Sequence, residues 1–235
     1  MRSRPYRLTL SMIVRNEADR YLSRMLKRHR HLIDNALIID DGSTDNTVQV
    51  CAEALHDVPH SIIRNPVSRF AEEYRLRKQQ WDETMRLEPD WILMLDADEV
   101  FEPSFDQDIE AILRQQTADA LYFRLYDMWN DTCYREDDVW RAHSIYRPFL
   151  VRPRHGDTYT WKETNQHCGR FPDQIEHLSY ACHPARIQHF GWALAEDRCA
   201  KYERYRCLDP DGTWGSMAQY ESILDPDPLL LPWNE

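Results

Sequence analysis

The chain has 235 residues with 29 Lys plus Arg against 40 Asp plus Glu, a net charge of −11 that opposes attraction to nucleic acid or anionic lipid. Hydrophobic residues make up 42% and charged residues 29%, which excludes a disordered chain and predicts one large α/β domain or two small ones with a buried core. Apolar runs fall far short of the ~20 residues a transmembrane helix needs, the start has no apolar export segment, and six scattered Cys without a C-x-x-C pair read as reduced, so the expectation is a cytoplasmic protein.

Leu8 to Val14 reads as a strand, and Tyr21, Leu22, Met25, Leu26 and His29 then recur at helical spacing, predicting an amphipathic helix. Ala36 to Asp40 is a short apolar strand. It runs into Asp41-Gly42-Ser43-Thr44-Asp45-Asn46, a turn of small polar residues whose Ser, Thr or Asp can cap a helix over Thr47 to Leu55. His60 to Arg64 makes a third strand and Arg69 to Leu87 a long helix. Trp91 to Leu95 is a continuous apolar run of the kind parallel strands show when both faces are covered.

Alternating strand and helix predicts an α/β fold with a doubly wound, mostly parallel sheet, whose ligands bind beyond the carboxyl ends of the strands. Three polar clusters stand at such ends: Arg15-Asn16-Glu17, Asp40-Asp41 and Asp96-Ala97-Asp98. From Ala120 the pattern becomes strand-like and aromatic, then irregular. The chain therefore divides into residues 1–117 and a smaller mixed subdomain, 118–235, within a single compact domain. Pro226, Pro228 and Pro232 exclude a long helix in the tail.

Three carboxylates at Asp96, Asp98 and Glu99 repel one another unless a cation or donors compensate. Hard oxygen ligands suit Mg²⁺ or Mn²⁺, commonly shared with nucleotide phosphates; the alternative is an acidic start to a helix near Pro103 to Asp108. On the long helix, Phe70, Tyr74, Trp81 and Met85 predict an inward stripe. Arg77 falls ~20° from Phe70 at 100° per residue, and an inward Arg needs a carboxylate or phosphate.

In order, Ser11-Met12-Ile13-Val14-Arg15-Asn16-Glu17, Asp40-Asp41-Gly42-Ser43-Thr44-Asp45 and Leu95-Asp96-Ala97-Asp98 closely resemble the nucleotide-sugar-binding half of family 2 glycosyltransferases, inverting enzymes of GT-A fold. The resemblance covers about residues 7 to 105 and, more weakly, the rest. It implies a GT-A fold with an acceptor-side second half, a nucleotide-sugar donor, usually a UDP-sugar, and Mn²⁺ or Mg²⁺. It further implies that Val14, Asn16 and Glu17 lie against the nucleoside, and that Asp40 or Asp41 accepts from the base N3–H. Turn and cap work is the other reading of those two Asp. Arg77, Asp96 and Ala97 would lie at the donor, and Asp96 and Asp98 at the metal.

His189-Phe190-Gly191-Trp192, followed by Arg198, Lys201 and Arg204, resembles the region that brings a His to the metal and cations to the diphosphate. Arg198 and Lys201 share a helix face at i, i+3. The family's acceptor-side acid falls in Trp161 to Pro172, where Glu163 is the first candidate for the base and His167 the second. This segment departs from the family's commoner Glu-Asp pattern. Trp129, Trp140, Trp161, Tyr126, Tyr134 and Tyr159 suit either an acceptor platform or core.

The Gln-x-x-Arg-Trp motif of processive synthases is absent, so one transfer per encounter is expected, to a saccharide, peptide, lipid-linked sugar or small metabolite. Two other functions compete. A sugar-1-phosphate nucleotidyltransferase would carry a Gly-rich loop after the first strand, and no Gly lies near Arg15-Asn16-Glu17. A non-catalytic nucleotide-sugar-binding module is disfavoured by the retained acidic cluster.

Overall fold

In the computed structural model, which describes residues 6–115, 117–164, 168–213 and 215–234, the apolar segment Leu8–Val14 forms β1, buried throughout except at Ile13. Leu22, Met25, Leu26 and His29 make the buried stripe of α1 (Leu22–His29), as their spacing predicts. Next come β2 (Asn35–Asp40), α2 (Thr47–Ala54), β3 (His60–Arg64), α3 (Glu73–Met85) and β4 (Trp91–Met94), each within a few residues of its expected place. The remaining elements are β5 (Glu99–Phe101), α4 (Ser104–Gln115), β6 (Ala120–Asp127), β7 (Cys133–Arg135), β8 (Tyr146–Val151), β9 (Tyr180–His189), α5 (Ala195–Leu208), α6 (Met217–Ser222) and β10 (Leu230–Pro232).

One expectation about the long helix needs correcting. Phe70–Glu72 is a 3₁₀ turn and the α-helix starts only at Glu73, so projecting Phe70 at 100° per residue does not apply. Phe70 is 41% exposed, and the buried face of α3 is Leu76, Gln80, Trp81 and Thr84.

The chain forms two contact units. The first holds the residues up to Asp98, Ser104–Tyr122 and Pro148–His183; the second holds Glu99–Pro103, Phe123–Arg147 and the residues from Pro184 on. Helix α4 belongs to the first unit, where Arg28 of α1 and His31 just beyond it both bond Asp106, at 2.7 and 2.9 Å.

In the first unit β1 pairs in parallel with β2 and β4, β2 pairs in parallel with β3, and β8 joins β4 antiparallel. The order β3-β2-β1-β4-β8 brings the carboxyl ends of β1, β2 and β4 to one edge. Leu37, Ile39 and Leu76 pack on one another as one cluster, and a second cluster joins Trp81, Ile92, Met94, Val151, Trp161 and Phe171. Burying each such large apolar side chain contributes roughly 1.5–3 kcal/mol.

In the second unit Glu99 of β5 faces His189 of β9 in an antiparallel pair, and β10 pairs antiparallel with β7. Its core joins Trp129, Trp140, Trp192, Tyr220 and Ile223. Trp129, Trp140, Trp161 and Tyr126 are thus core residues, each at most 7% exposed, and only Tyr134 and Tyr159 of the aromatic set are half-buried. All six Cys are free thiols. Among the described residues no helix is long and apolar enough to cross a membrane.

Candidate active site

The loop after β1 is stapled to the turn after β2. Asn16 takes a left-handed conformation, φ 55°, which its short polar side chain tolerates. Its backbone N–H donates to Ser43 Oγ at 3.0 Å, and its Oδ1 accepts from the Thr44 N–H at 2.8 Å. Glu17 N–H donates to Thr47 Oγ1 at 2.7 Å and Ala18 N–H to Asp45 Oδ2 at 3.1 Å. Asp45 also accepts from the N–H and hydroxyl of Thr47 at the start of α2, a bond to a residue two positions on, while Asn46, the N-cap, makes no side-chain cap bond. Burial alone would raise the Asp45 carboxyl, but these hydrogen bonds from Thr47 and Ala18 outweigh it and hold the pKa below its ordinary value.

Asp40 and Asp41 are both fully buried. Asp40 accepts from Arg64 Nε at 3.0 Å and from the Ser43 N–H at 3.2 Å. Asp41 accepts from Asn65 Nδ2 at 3.0 Å, from Ser68 Oγ at 2.6 Å and from the Arg69 N–H at 2.9 Å, so it pins the segment that leads from β3 into α3. Its own N–H donates to the Val14 carbonyl at 2.9 Å. Gly42 has φ 77°, and a Cβ there would stand 3.1 Å from the Ser68 nitrogen. Both its backbone angle and this close approach require glycine.

At the end of β4, Asp96 lies between two guanidinium groups. Arg77 Nη2 donates to its Oδ1 at 3.2 Å and Arg170 Nη2 to its Oδ2 at 3.3 Å. Arg77 does point inward, with its side chain 12% exposed, and it finds the carboxylate such an Arg requires. Ala97 is buried, while Asp98 beside it is half-buried in the same turn. Among the described residues, no three His, Cys, Asp or Glu side chains are grouped as a ready-made metal site. The donor set at Asp96 and Asp98 fits instead a hard divalent ion that draws most of its oxygens from phosphate and water.

In the second unit, His189 Nδ1 and Asp127 Oδ1 are 2.7 Å apart at the ends of β9 and β6. A carboxylate that orients one ring nitrogen in this way is the usual support of a metal-binding His. Arg198 and Lys201 share a face of α5 as predicted, and that face holds tryptophan. Arg198 Nη1 donates to the carbonyls of Trp129, Trp192 and Ala193, its guanidinium lies 4.9 Å over the Trp129 ring, and Lys201 Nζ lies 4.2 Å over Trp192. Burial holds Arg198 below its ordinary pKa.

Glu163 is exposed in the first unit, within electrostatic reach of Arg75. His167 lies outside the described residues. Sequence reasoning missed Arg170, which also donates to the Met94 carbonyl at 3.0 Å and lies 4.5 Å over the Phe149 ring. It missed Asn65, Ser68 and Arg64 as well. An Arg in an irregular stretch carries no local signal; only its place beside the end of β4 reveals it.

The model of the family described as glycosyl transferase family 2 matches residues 9–171. An uncharacterised protein of Mycobacterium tuberculosis and one of Mycobacterium bovis are each 28% identical over 232 residues, covering 92% of this chain and 54% of the relative. The chain thus spans about half the length of the curated relatives it matches. Among solved structures, TarS of S. aureus superposes with a TM-score of 0.56 at 12% identity, over 93% of this chain and 42% of that one. Residues 1–349 of TarS in complex with UDP-GlcNAc give 0.54 at 13% identity, over 93% and 70%. At such identities the likeness shows the fold: the α/β architecture with its mixed sheet is the GT-A fold that the sequence predicts.

Proposed function

The chain belongs to glycosyl transferase family 2, and from that premise we propose that it transfers a sugar from a nucleotide-sugar donor, foremost a UDP-sugar, to an acceptor hydroxyl with inversion at the anomeric carbon. One sugar is moved per encounter. The observation that carries this reading is the Asp96 site, where a two-carboxylate turn at a strand end is faced by Arg77 and Arg170. Opposed charges in one place suit a diphosphate that arrives with a divalent ion. TarS in complex with UDP-GlcNAc supports the choice of donor class.

In this reading the loop Val14–Glu17 and the turn that follows β2 cradle the nucleoside, and their mutual hydrogen bonds fix the cradle before the donor arrives. Asp41 is filled by three donors and shapes the loop. Asp40, with two donors on about four lone-pair sites, keeps the capacity for a base N–H, with the 60% exposed Arg64 side chain giving way. Arg77 and Arg170 exchange Asp96 for phosphate oxygens and balance the leaving group's charge.

Asp98 and Asp96 are the residues of the first unit that would hold Mn²⁺ or Mg²⁺, which when bound neutralises charge on the departing diphosphate. Glu163 takes the proton of the acceptor hydroxyl as that oxygen bonds to the anomeric carbon, and the sugar–phosphate C–O bond breaks with its electron pair leaving on the nucleoside diphosphate. His167 is the second candidate for this proton. Six free thiols support a reducing, cytoplasmic setting.

The Asp98→Ala protein tests the reading. Its calorimetric affinity for UDP in Mn²⁺ should fall by about 100-fold or more, while UDP binding without metal stays as weak as before. Unchanged affinity in Mn²⁺ overturns the assignment.

A further inference from the structure

Arg124 is a cation of the second unit that no part of the donor chemistry uses. It sits on β6 with its guanidinium 5.8 Å from the Tyr126 ring centre and 5.6 Å from that of Tyr146 on β8. Its Nε is buried without a hydrogen-bond partner, and among the described residues no carboxylate pairs with it. Glu102 accepts from the backbone N–H and Nε of Arg186 at 2.8 and 2.7 Å, and Glu136 lies 3.2 Å from His143 Nε2.

Arg186 also approaches the Tyr126 ring, at 5.8 Å, so two cations flank one phenol in a chain of net charge −11. A guanidinium carries five donors in a fixed fork. Held between two aromatic rings with one nitrogen sealed from water, it is oriented in advance, and it lacks an acceptor that matches the fork. Phosphate meets that geometry with two parallel hydrogen bonds.

We propose that Arg124, beside Tyr126 and Tyr146, binds a phosphate ester group. The site lies within the second unit and rests on Arg124 alone, independent of the donor reading.

Calorimetric titration of the full chain with glucose 6-phosphate, glucuronate and glucose tests it. Glucose 6-phosphate should bind at least about tenfold more tightly than glucose, and Arg124→Gln should abolish that difference. Mn²⁺-dependent UDP affinity, measured on the same samples, should be unchanged in the variant. Arg124→Lys keeps the charge without the fork and should retain only part of the preference, which guards against a folding defect in the Gln protein. Equal glucose 6-phosphate affinity in wild type and Arg124→Gln overturns the site. So does a wild-type protein that prefers neither ligand over glucose, and glucuronate binding as tightly as glucose 6-phosphate overturns phosphate in favour of a carboxylate. Loss of UDP binding by the wild-type protein would instead strike the donor reading and leave the Arg124 comparison standing.

Discussion

Two regions of the first unit, the turn after β2 and the segment from Trp161 to Arg170, are built in opposite ways. In the first, Asp40 and Asp41 are fully buried and accept from Ser43, Arg64, Asn65, Ser68 and Arg69, so the turn is held by its own hydrogen bonds. In the second, the proposed base Glu163 stands exposed, Trp161 is buried against Trp81, and Arg170 reaches Asp96 and the Met94 carbonyl. The difference teaches that the turn after β2 is fixed by its own hydrogen bonds, whereas Glu163 stands exposed for the proton transfer proposed for it. Carboxylates of the same chemical type thus do different work: buried and filled they hold a loop, and exposed they are available for proton transfer.

The sharpest way to break that comparison is Glu163→Gln. Transfer should fall by about 10² to 10⁴, with UDP affinity and urea stability unchanged, since an exposed substitution away from packed groups costs within about 0.5 kcal/mol. Normal turnover would move the base elsewhere, His167 first. Asp41→Ala tests the opposite side. It strands the Asn65, Ser68 and Arg69 donors, and urea denaturation should show a loss of about 3 kcal/mol; a loss under about 1 kcal/mol would mean that water replaces the carboxylate and the turn is not self-supporting. The smallest effect belongs to Gly42→Ala. A left-handed φ and a 3.1 Å approach to the Ser68 nitrogen predict a cost of about 1–2 kcal/mol in thermal or urea unfolding, and a neutral result would show that the Ser68 segment can shift without disturbing its bonds to Asp41.

The strands and helices of the first hundred residues were legible because their signals are local. The spacing of Leu22, Met25, Leu26 and His29 places one face of α1 in the core, and the side chain of Asp45 stands two residues before the group it serves. Phe70 misled because a 3₁₀ turn breaks helical register without any Gly or Pro to mark it. Arg198 and Lys201 were correctly placed on one helix face, yet a face says nothing about what opposes it. Trp129 and Trp192 do. Family membership could be read from the three motifs at the strand ends because they occur together and in that order; the acidic turn at Asp96 alone reads equally as the start of a helix.

The sequence by itself determined the alternation of strand and helix, the tight turn at Gly42 and the placing of carboxylates at the ends of β2 and β4, because periodicity, caps and positive-φ positions act over a few residues. Only the tertiary structure decided that Asp41 is held by groups 24 to 28 residues away, that Arg170 meets Asp96 across 74 residues, and that Arg124 is left between two tyrosines. The physical reason is that a charge finds its partner through the path of the whole chain. Burial and competing donors then determine whether that charge holds the fold or serves a ligand.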